Sequence, residues 1–262
     1  MLEMWITFLV ALVLCSVGFV MYVYFFSVGY GFAIAGIGIS MLIMFRDSLS
    51  ACTVIMCLLF VVYGVRLGGY LAYREMKNKA YKKLLKGESK QAVAVGLKVS
   101  LWLACAFLYM SMCSPVLFRF LSGEGNDFIA VIGILLMAAG IAIEMVADWQ
   151  KSEAKKVNVS MFVTTGLYKF VRCPNYFGEL VLWTGVFISC LNILQNPLQL
   201  IIAILGYIGI VYVMFSGARR LELRQDRNYG HLESYQKYVR TTPIIIPLVP
   251  LYSVTKYKWL IA

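Results

Sequence analysis

The stretch MWITFLVALVLCSVGFVMYVYFFSVGYGFAIAGIGISMLIMF, residues 4–45, establishes the fold class because it contains no Asp, Glu, Lys or Arg. It is long enough for two membrane-spanning helices of about 20 residues each. Residues 180–218 form a second charge-free run, broken by NILQNP, that predicts two more helices. Three further apolar segments, residues 48–65, 99–118 and 128–147, bring the predicted number of spans to seven. We therefore predict an all-α, polytopic membrane protein.

The distribution of positive charge predicts the topology. The formal net charge is +11, and Lys and Arg concentrate in residues 74–98, 151–172 and 219–240, which follow the third, fifth and seventh predicted spans. The positive-inside rule then places all three segments in the cytoplasm, with the N-terminus outside and the C-terminus cytoplasmic. In a bacterium this would be the inner or plasma membrane. The pattern favours anionic lipid headgroups or a phosphorylated ligand as partners, rather than nucleic acid.

Residues 74–90 are interpreted either as an amphipathic helix at the headgroups or as a solvated linker.

The cysteine and histidine content argues against a metal site. The seven cysteines are scattered without a CxxC pair, and His231 is the only histidine. Zinc, haem and iron–sulfur sites need clustered ligands of these types. The cysteines are therefore interpreted as small apolar packing residues.

Two acidic residues lie at the cytoplasmic end of the fifth predicted span. Glu144 and Asp148 are four residues apart, so they share one helical face. Ionisable residues in membrane helices are costly and are functional-site candidates for that reason. The alternative is an acid–base ladder in which Lys151 and Lys155 continue the same face and stabilise the helix end.

The segment TTGLYKFVRCPNYFGELVLW, residues 164–183, is more specific. Pro174 suits an early helical position, and Arg172 just before it would lie near the positive end of the helix dipole, which favours anion binding. Asn175 and Glu179 share one face of that helix. An amide with a carboxylate suits recognition of a ligand amide such as nicotinamide. An ordinary interhelical hydrogen bond is the alternative for either residue.

A basic segment, SGARRLELRQDRNYGHLESYQKYVRTTPIIIP, covers residues 216–247. Its arginines, Arg220, Arg224 and Arg227, recur at helical spacing, and Tyr235 follows them. This C-terminal amphipathic segment either rests on the bilayer or folds under the helices and holds a phosphate-bearing cofactor with its arginines.

Three ordered motifs carry a resemblance to a known family: TGLYKFVRCPNYFGE, the upstream Glu144–Asp148–Gln150 pattern, and the tail SGARRLE…YGHLESYQKY…IP. Together they resemble the steroid 5-alpha-reductase C-terminal domain family, in particular its bacterial-type branch with the motif GLW–RHPNYFGE. The resemblance covers residues 128–250. Two features depart from it: Cys173 replaces the motif histidine, and the chain has no acid between Glu3 and Asp47, where steroid reductases carry a glutamate that helps to polarise the substrate carbonyl.

The resemblance implies a single seven-helix membrane domain over residues 1–262 that binds NADPH in a cytoplasm-facing cavity. Residues 1–127 would line a substrate cavity open to the lipid, and residues 128–250 would bind the cofactor. Asn175 and Glu179 match residues that hold the nicotinamide end, and Asp148 matches an aspartate facing the ribose and nucleotide portion. Further contacts are implied for Glu144, Lys155, Arg220, Arg224 and Tyr235.

The chemistry expected of such a site is reduction of a carbon–carbon double bond conjugated to a carbonyl in a lipophilic substrate. NADPH would deliver the hydride, and a hydrogen-bond donor would stabilise the developing enolate oxygen. Our candidates for that donor are Tyr70 and Tyr73, with Arg66 nearby. The alternative is that both tyrosines are interfacial anchors.

Two other functions are alternatives to the reductase. Membrane methyltransferases that use S-adenosylmethionine, acting on isoprenoids or phospholipids, share a similar motif but usually have paired glutamates in the tail, whereas Glu222 stands alone in RRLELR. A non-catalytic lipid-binding relative would have lost polar ligands that this chain retains. The sequence thus favours a reductase, and its surplus of Lys and Arg favours NADPH over NADH.

Overall fold

The computed structural model describes residues 2–77, 94–158 and 160–260. Within these residues the chain is all-α, as predicted, and the described part contains no β-strand. Its helices are α1 (Leu2–Cys15), α2 (Val28–Met44), α3 (Ala51–Lys77), α4 (Val95–Ser122), α5 (Phe128–Val157), α6 (Pro174–Ile188), α7 (Pro197–Tyr229) and α8 (Glu233–Thr241). Short 3-10 turns cover Ser16–Phe19, Tyr22–Phe26 and Gly166–Lys169. Most of the segment at residues 74–90, for which an amphipathic helix or a linker was predicted, lies outside the described residues.

Five helical segments of the described chain are long and apolar enough to cross a membrane: Leu2–Phe19, Ala51–Tyr73, Val95–Ser122, Phe128–Val157 and Pro197–Tyr229. The protein is therefore an integral membrane protein. Helices α2 and α6 lie where the other two spans were predicted, but they have only 17 and 15 residues. The count of seven spans and the orientation of the termini stay predictions.

The chain divides into two compact units. One comprises Met1–Ile134 and Gly185–Tyr207, and the other comprises Leu135–Thr184 and Ile208–Ala262. The functional division expected near residue 128, within one membrane domain, stays a prediction.

In the first unit, a cluster of buried tyrosines joins α2, α3 and α4. Tyr63 donates a hydrogen bond to the hydroxyl of Tyr30 at 2.9 Å, and the Tyr30 and Tyr109 ring centroids are 4.8 Å apart. Tyr109 in turn donates to the carbonyl of Phe25 at 2.7 Å. Because each hydroxyl takes part in a hydrogen bond, these large side chains bury apolar area without an unsatisfied polar group.

In the second unit, α5 and α6 cross at two glycines. A Cβ on Gly140 would lie 2.5 Å from the carbonyl oxygen of Gly178 and nearer still to the amide nitrogen of Leu182. A Cβ on Gly178 would lie 2.8 Å from the amide nitrogen of Glu144. Small residues allow membrane helices to approach this closely. The crossing brings Glu144 on α5 beside the start of α6, where the polar residues of the NYFGE motif lie.

Candidate functional site

The start of α6 is held by hydrogen bonds to residues 243–244, which follow α8. Pro174 is the first residue of α6, as the sequence predicted. The backbone N–H groups of Arg172 and Cys173 donate to the carbonyls of Pro243 and Ile244, both at 2.9 Å. Burial raises the pKa of the Cys173 thiol to about 12, so it is a neutral packing group at the place of the motif histidine.

Arg172 is the central charged residue of this region. Its Nη2 lies 2.7 Å from Oε1 of Glu222, and the two side chains are only 2% and 1% exposed. Arg172 also donates to the carbonyl of Tyr252, and Oε2 of Glu222 accepts from the amide of Val254 at 2.9 Å. The Nε and Nη1 atoms of Arg172 are buried and find no hydrogen-bond partner among the described residues. Unsatisfied buried donors are costly, more so on a charged group, so these two are candidate ligand contacts.

Arg172 lines a pocket of about 100 Å³ in the second unit. Four cationic residues contribute to the pocket: Lys151, Lys155, Arg172 and Arg224. The described residues of the lining include no acid, so the pocket is suited to an anion. Its other lining residues are Phe162, Val163, Tyr168, Asn175, Leu221, Gln225, Asn228, Tyr229 and Tyr238.

One wall of the pocket is aromatic. The ring of Phe162 has its centroid 5.6 Å from that of Tyr229, 5.1 Å from Tyr235 and 5.7 Å from Tyr238. Lys155 Nζ lies 6.0 Å from the centroid of Tyr229. This wall therefore offers flat apolar area beside positive charge, a combination that suits a heteroaromatic ring carrying phosphate.

The phenols of this wall are neutral and anchored. Tyr238 donates to the carbonyl of Tyr168 at 2.6 Å, and Tyr235 donates to Oδ1 of Asp226 at 2.8 Å. Burial raises the pKa of both phenols, and the hydrogen bond to Asp226 raises that of Tyr235 further. The two hydroxyls thus fix ring positions rather than carry charge.

Gln150 orders the loop that supplies this wall. Its Oε1 accepts a hydrogen bond from the amide of Leu167 at 2.8 Å. Gly166 has a φ of +62°, and a Cβ there would collide with the Gln150 amide. A residue without Cβ therefore lets Gln150 reach the loop between α5 and α6. The sequence motif contained Gln150, but its role emerges only here.

The predicted cofactor residues divide into two groups within the second unit. Lys155, Arg172, Asn175 and Arg224 line the pocket, and Tyr235 packs behind its aromatic wall. The others do not contribute to the lining: Glu144 and Glu179 are buried, 4% and 6% exposed, Asp148 is half-buried and Arg220 is exposed.

Several lining residues were missed as site residues by the sequence analysis. Asn228 follows Arg224 by four positions and Tyr238 follows Tyr235 by three, so helical spacing contained a signal for both, whereas Gln225 directly follows Arg224 and had none. Phe162 had no such signal because it lies in a loop.

The predicted catalytic residues lie on α3 in the first unit. Tyr70 and Tyr73 are 40% and 52% exposed, which agrees with the interfacial-anchor alternative. The catalytic role of these tyrosines and of Arg66 stays a prediction. Tyr63, one heptad before Tyr70, was not singled out, although it is fully buried and bonded to Tyr30.

Comparison with known proteins supports the motif analysis. The family described as "Protein of unknown function (DUF1295)" matches residues 10–242. Mouse 3-oxo-5-alpha-steroid 4-dehydrogenase 1 is 24% identical over 153 residues, which cover 55% of this chain and 54% of that protein. The rat protein of the same name is 25% identical over 153 residues, with the same coverage. The chain thus spans about half the length of the curated relatives it matches. No solved structure matches it.

The resemblance inferred from the motifs is confirmed at the level of the family, whereas the narrower bacterial-type branch stays a prediction. The family match covers most of the chain and includes both the α5–α6 motifs and the arginine-rich part of α7. The protein therefore belongs to the DUF1295 family, a steroid 5-alpha-reductase-like family of membrane proteins.

Proposed function

We propose that the protein is a membrane-embedded, NADPH-dependent reductase of a conjugated carbon–carbon double bond in a lipophilic, steroid-, isoprenoid- or lipid-like enone. The observation that carries this proposal is the cationic pocket lined by Arg172, whose side chain also has two buried donors without partners among the described residues. The names of the distant mouse and rat relatives support the same reaction class.

The pocket suits one portion of a dinucleotide. Its volume of about 100 Å³ is below the roughly 300–1,000 Å³ typical of sites that enclose a whole small molecule. We assign the phosphates to Arg172, Lys151, Lys155 and Arg224, since guanidinium groups bind phosphate in a bidentate manner and lysine ammonium groups act as point charges. The ring of Phe162 and its tyrosine neighbours offer a stacking surface to the nucleotide base.

The nicotinamide end is assigned to α6. Asn175 lines the pocket and presents both an amide donor and an acceptor, and Glu179 follows one helical turn deeper. Glu144, Asp148, Arg220 and Tyr235 are retained as supporting contacts of the same cofactor. NADPH supplies a hydride when bound. The chain's own tasks are to orient it, exclude water and donate a hydrogen bond to the substrate carbonyl, for which Tyr70, Tyr73 and Arg66 are the candidates.

The environment of Glu222 favours the reductase over the methyltransferase alternative. It is buried in the ion pair with Arg172 and bonded to Val254, so both carboxylate oxygens already have partners. Its role is therefore accounted for by the fold, without a bound S-adenosylmethionine.

The test is thermal unfolding of the detergent-purified protein with NADPH, NADH or S-adenosylmethionine. A ligand at about 100 times its Kd stabilises the protein by roughly 2.7 kcal/mol. We expect stabilisation by NADPH that is lost in Arg224→Gln and in Asn175→Ala. Arg227→Gln is the matched control, because Arg227 is exposed on the same helix and does not line the pocket. Stabilisation by S-adenosylmethionine alone would establish a methyltransferase, and no response to any ligand would indicate the non-catalytic relative.

A further inference from the structure

A basic and aromatic face lies near the C-terminus, apart from the cofactor pocket. Trp259 is 65% exposed, and Lys256 and Lys258 beside it are also exposed. Tyr257 has its ring centroid 6.3 Å from that of Trp259, and Lys256 Nζ lies 5.1 Å from the Tyr257 centroid. From residue 241 to the end, the only charged side chains in the sequence are those of Lys256 and Lys258. The face therefore combines net positive charge with exposed aromatic area.

This face is fixed to α7 rather than frayed. Arg219 donates to the carbonyl of Thr255 at 3.2 Å through Nε and to that of Leu260 at 3.1 Å through Nη1. Tyr212 donates to the carbonyl of Trp259 at 3.1 Å, and the two rings stack with centroids 6.2 Å apart. Leu260 is buried, 1% exposed. Ordered hydrogen bonds thus hold Trp259 in an exposed position.

The position along α7 identifies the surroundings of Trp259. Ile208 and Tyr212 are one turn apart on α7 and both are exposed, within a segment apolar enough to cross a membrane. Arg219 is the first charged residue after the charge-free run at residues 180–218. The Tyr212–Trp259 stack therefore lies where the apolar surface of the helix gives way to cations. Trp and Tyr with flanking Lys are enriched at this level of a bilayer, the headgroup region.

We propose that Tyr212, Lys256, Lys258 and Trp259 form a docking site for an anionic phospholipid of the bilayer that holds the protein. The rings pack against the acyl chains near the headgroup, and the two lysines bind the headgroup phosphate. Net positive charge without an acid in this segment selects anionic over zwitterionic lipid. This site is independent of the proposed function.

Lipid at this face also stabilises the cofactor region. Residues 252–260 include both this face and two partners of the buried ion pair. The carbonyl of Tyr252 accepts from Arg172, and the amide of Val254 donates to Glu222. Ordering the segment by lipid therefore holds the Arg172–Glu222 pair in place.

The experiment measures quenching of Trp259 fluorescence by brominated lipids in nanodiscs without any nucleotide. Brominated phosphatidylglycerol and brominated phosphatidylcholine are compared at equal mole fraction in the same mixture, and Trp259→Phe isolates the signal of this residue from the other tryptophans. We expect stronger quenching by phosphatidylglycerol. The preference for phosphatidylglycerol over phosphatidylcholine should fall about five-fold in each of the single variants Lys256→Gln and Lys258→Gln. The matched control is Lys237→Gln on α8, which also removes one exposed positive charge and should keep the preference.

Equal quenching by the two brominated lipids would overturn the selectivity, and no quenching by either would overturn the docking site. If the lysine variants do not fold, the wild-type protein provides the second measurement, because raised salt should reduce its preference for phosphatidylglycerol. All these readouts are obtained without NADPH, so a failure of the proposed function leaves them unchanged.

Discussion

Arg172 Nη2 lies 2.7 Å from Oε1 of Glu222, and both side chains are buried. Arg172 lies two residues before α6, and Glu222 lies near the end of α7 that is predicted to be cytoplasmic. Arg172 also donates to the carbonyl of Tyr252, and Glu222 also accepts from the amide of Val254. Glu222 thus neutralises part of the buried charge of Arg172, whereas Nε and Nη1 have no hydrogen-bond partner among the described residues. A single ion pair therefore links the fold of this unit to the proposed cofactor site.

Removing the carboxylate should destabilise the protein strongly. In Glu222→Gln the buried guanidinium loses its counter-charge, and breaking such a pair costs about 3–5 kcal/mol. Thermal or denaturant unfolding in detergent measures the change. Glu153→Gln is the control, because its ion pair with Lys156 is exposed at the surface and contributes about 0–1 kcal/mol. Equal small effects of both substitutions would contradict the prediction.

Asp127, in the loop before α5, should make the folded protein less stable at acid pH. Asp127 is partly buried, which opposes ionisation, but hydrogen bonds from Arg119, Asn192 and the amide of Ala130 outweigh this and lower its pKa from 3.8 to about 2. Arg119 is fully buried and lies 2.8 Å from the carboxylate. Because the folded-state pKa is depressed, the contribution to stability is present above about pH 4 and is lost as the pH falls towards 2.

Melting temperatures between pH 5 and 2 check this expectation. Asp127→Asn cannot titrate, so its melting temperature should be lower than that of the wild type at pH 5 and should fall less steeply with acid. Parallel pH profiles for the two proteins would show that Asp127 makes no such contribution.

The two glycines at the crossing of α5 and α6 should not tolerate substitution by alanine. Gly140→Ala places a Cβ against Leu182 and Gly178, and Gly178→Ala places one 2.7 Å from the carbonyl oxygen of Gly140. Forcing the helices apart should cost about 1–3 kcal/mol, and it should weaken NADPH binding by displacing Asn175. Gly96→Ala is the control, since nothing lies within 4 Å of its added Cβ. Unfolding and ligand-induced stabilisation are measured on all three variants.

Substitution of Gly166 by alanine should destabilise the protein more than the same substitution at a glycine of like conformation in an open turn. Gly166 and Gly123 both have positive φ, +62° and +75°. An L-residue in that region costs about 1–2 kcal/mol at either site. Gly166→Ala should cost more, because its Cβ also meets the Gln150 amide, whereas nothing lies near that of Gly123.

The second readout for this pair is NADPH affinity. Displacing Gln150 frees the loop that carries Phe162, so Gly166→Ala should weaken NADPH binding while Gly123→Ala should leave it unchanged. A loss of affinity in both variants, or in neither, would contradict the role assigned to Gln150.

Local patterns were sufficient for the helical framework. The charge-free runs at residues 4–45 and 180–218 contain helices where they were expected, because burying a backbone in lipid requires its hydrogen bonds to be made within the helix. Pro174 begins α6 for a reason visible in the chain itself, since proline lacks the N–H that a first-turn residue leaves unused. The motifs around Glu144, Arg172 and Arg224 likewise identified the family before any structural comparison.

The set of residues that line the pocket depends on contacts between segments that are far apart in the sequence. Glu222 pairs with a residue 50 positions away, and Phe162 meets Tyr229, Tyr235 and Tyr238 from a separate loop. Helical periodicity records which face a residue occupies, but it carries no information on which other segment packs there. Membrane spans, helix starts and candidate charges therefore follow from the amino-acid sequence. Which charges become neutralised, and which remain available to a ligand, follows only from long-range packing.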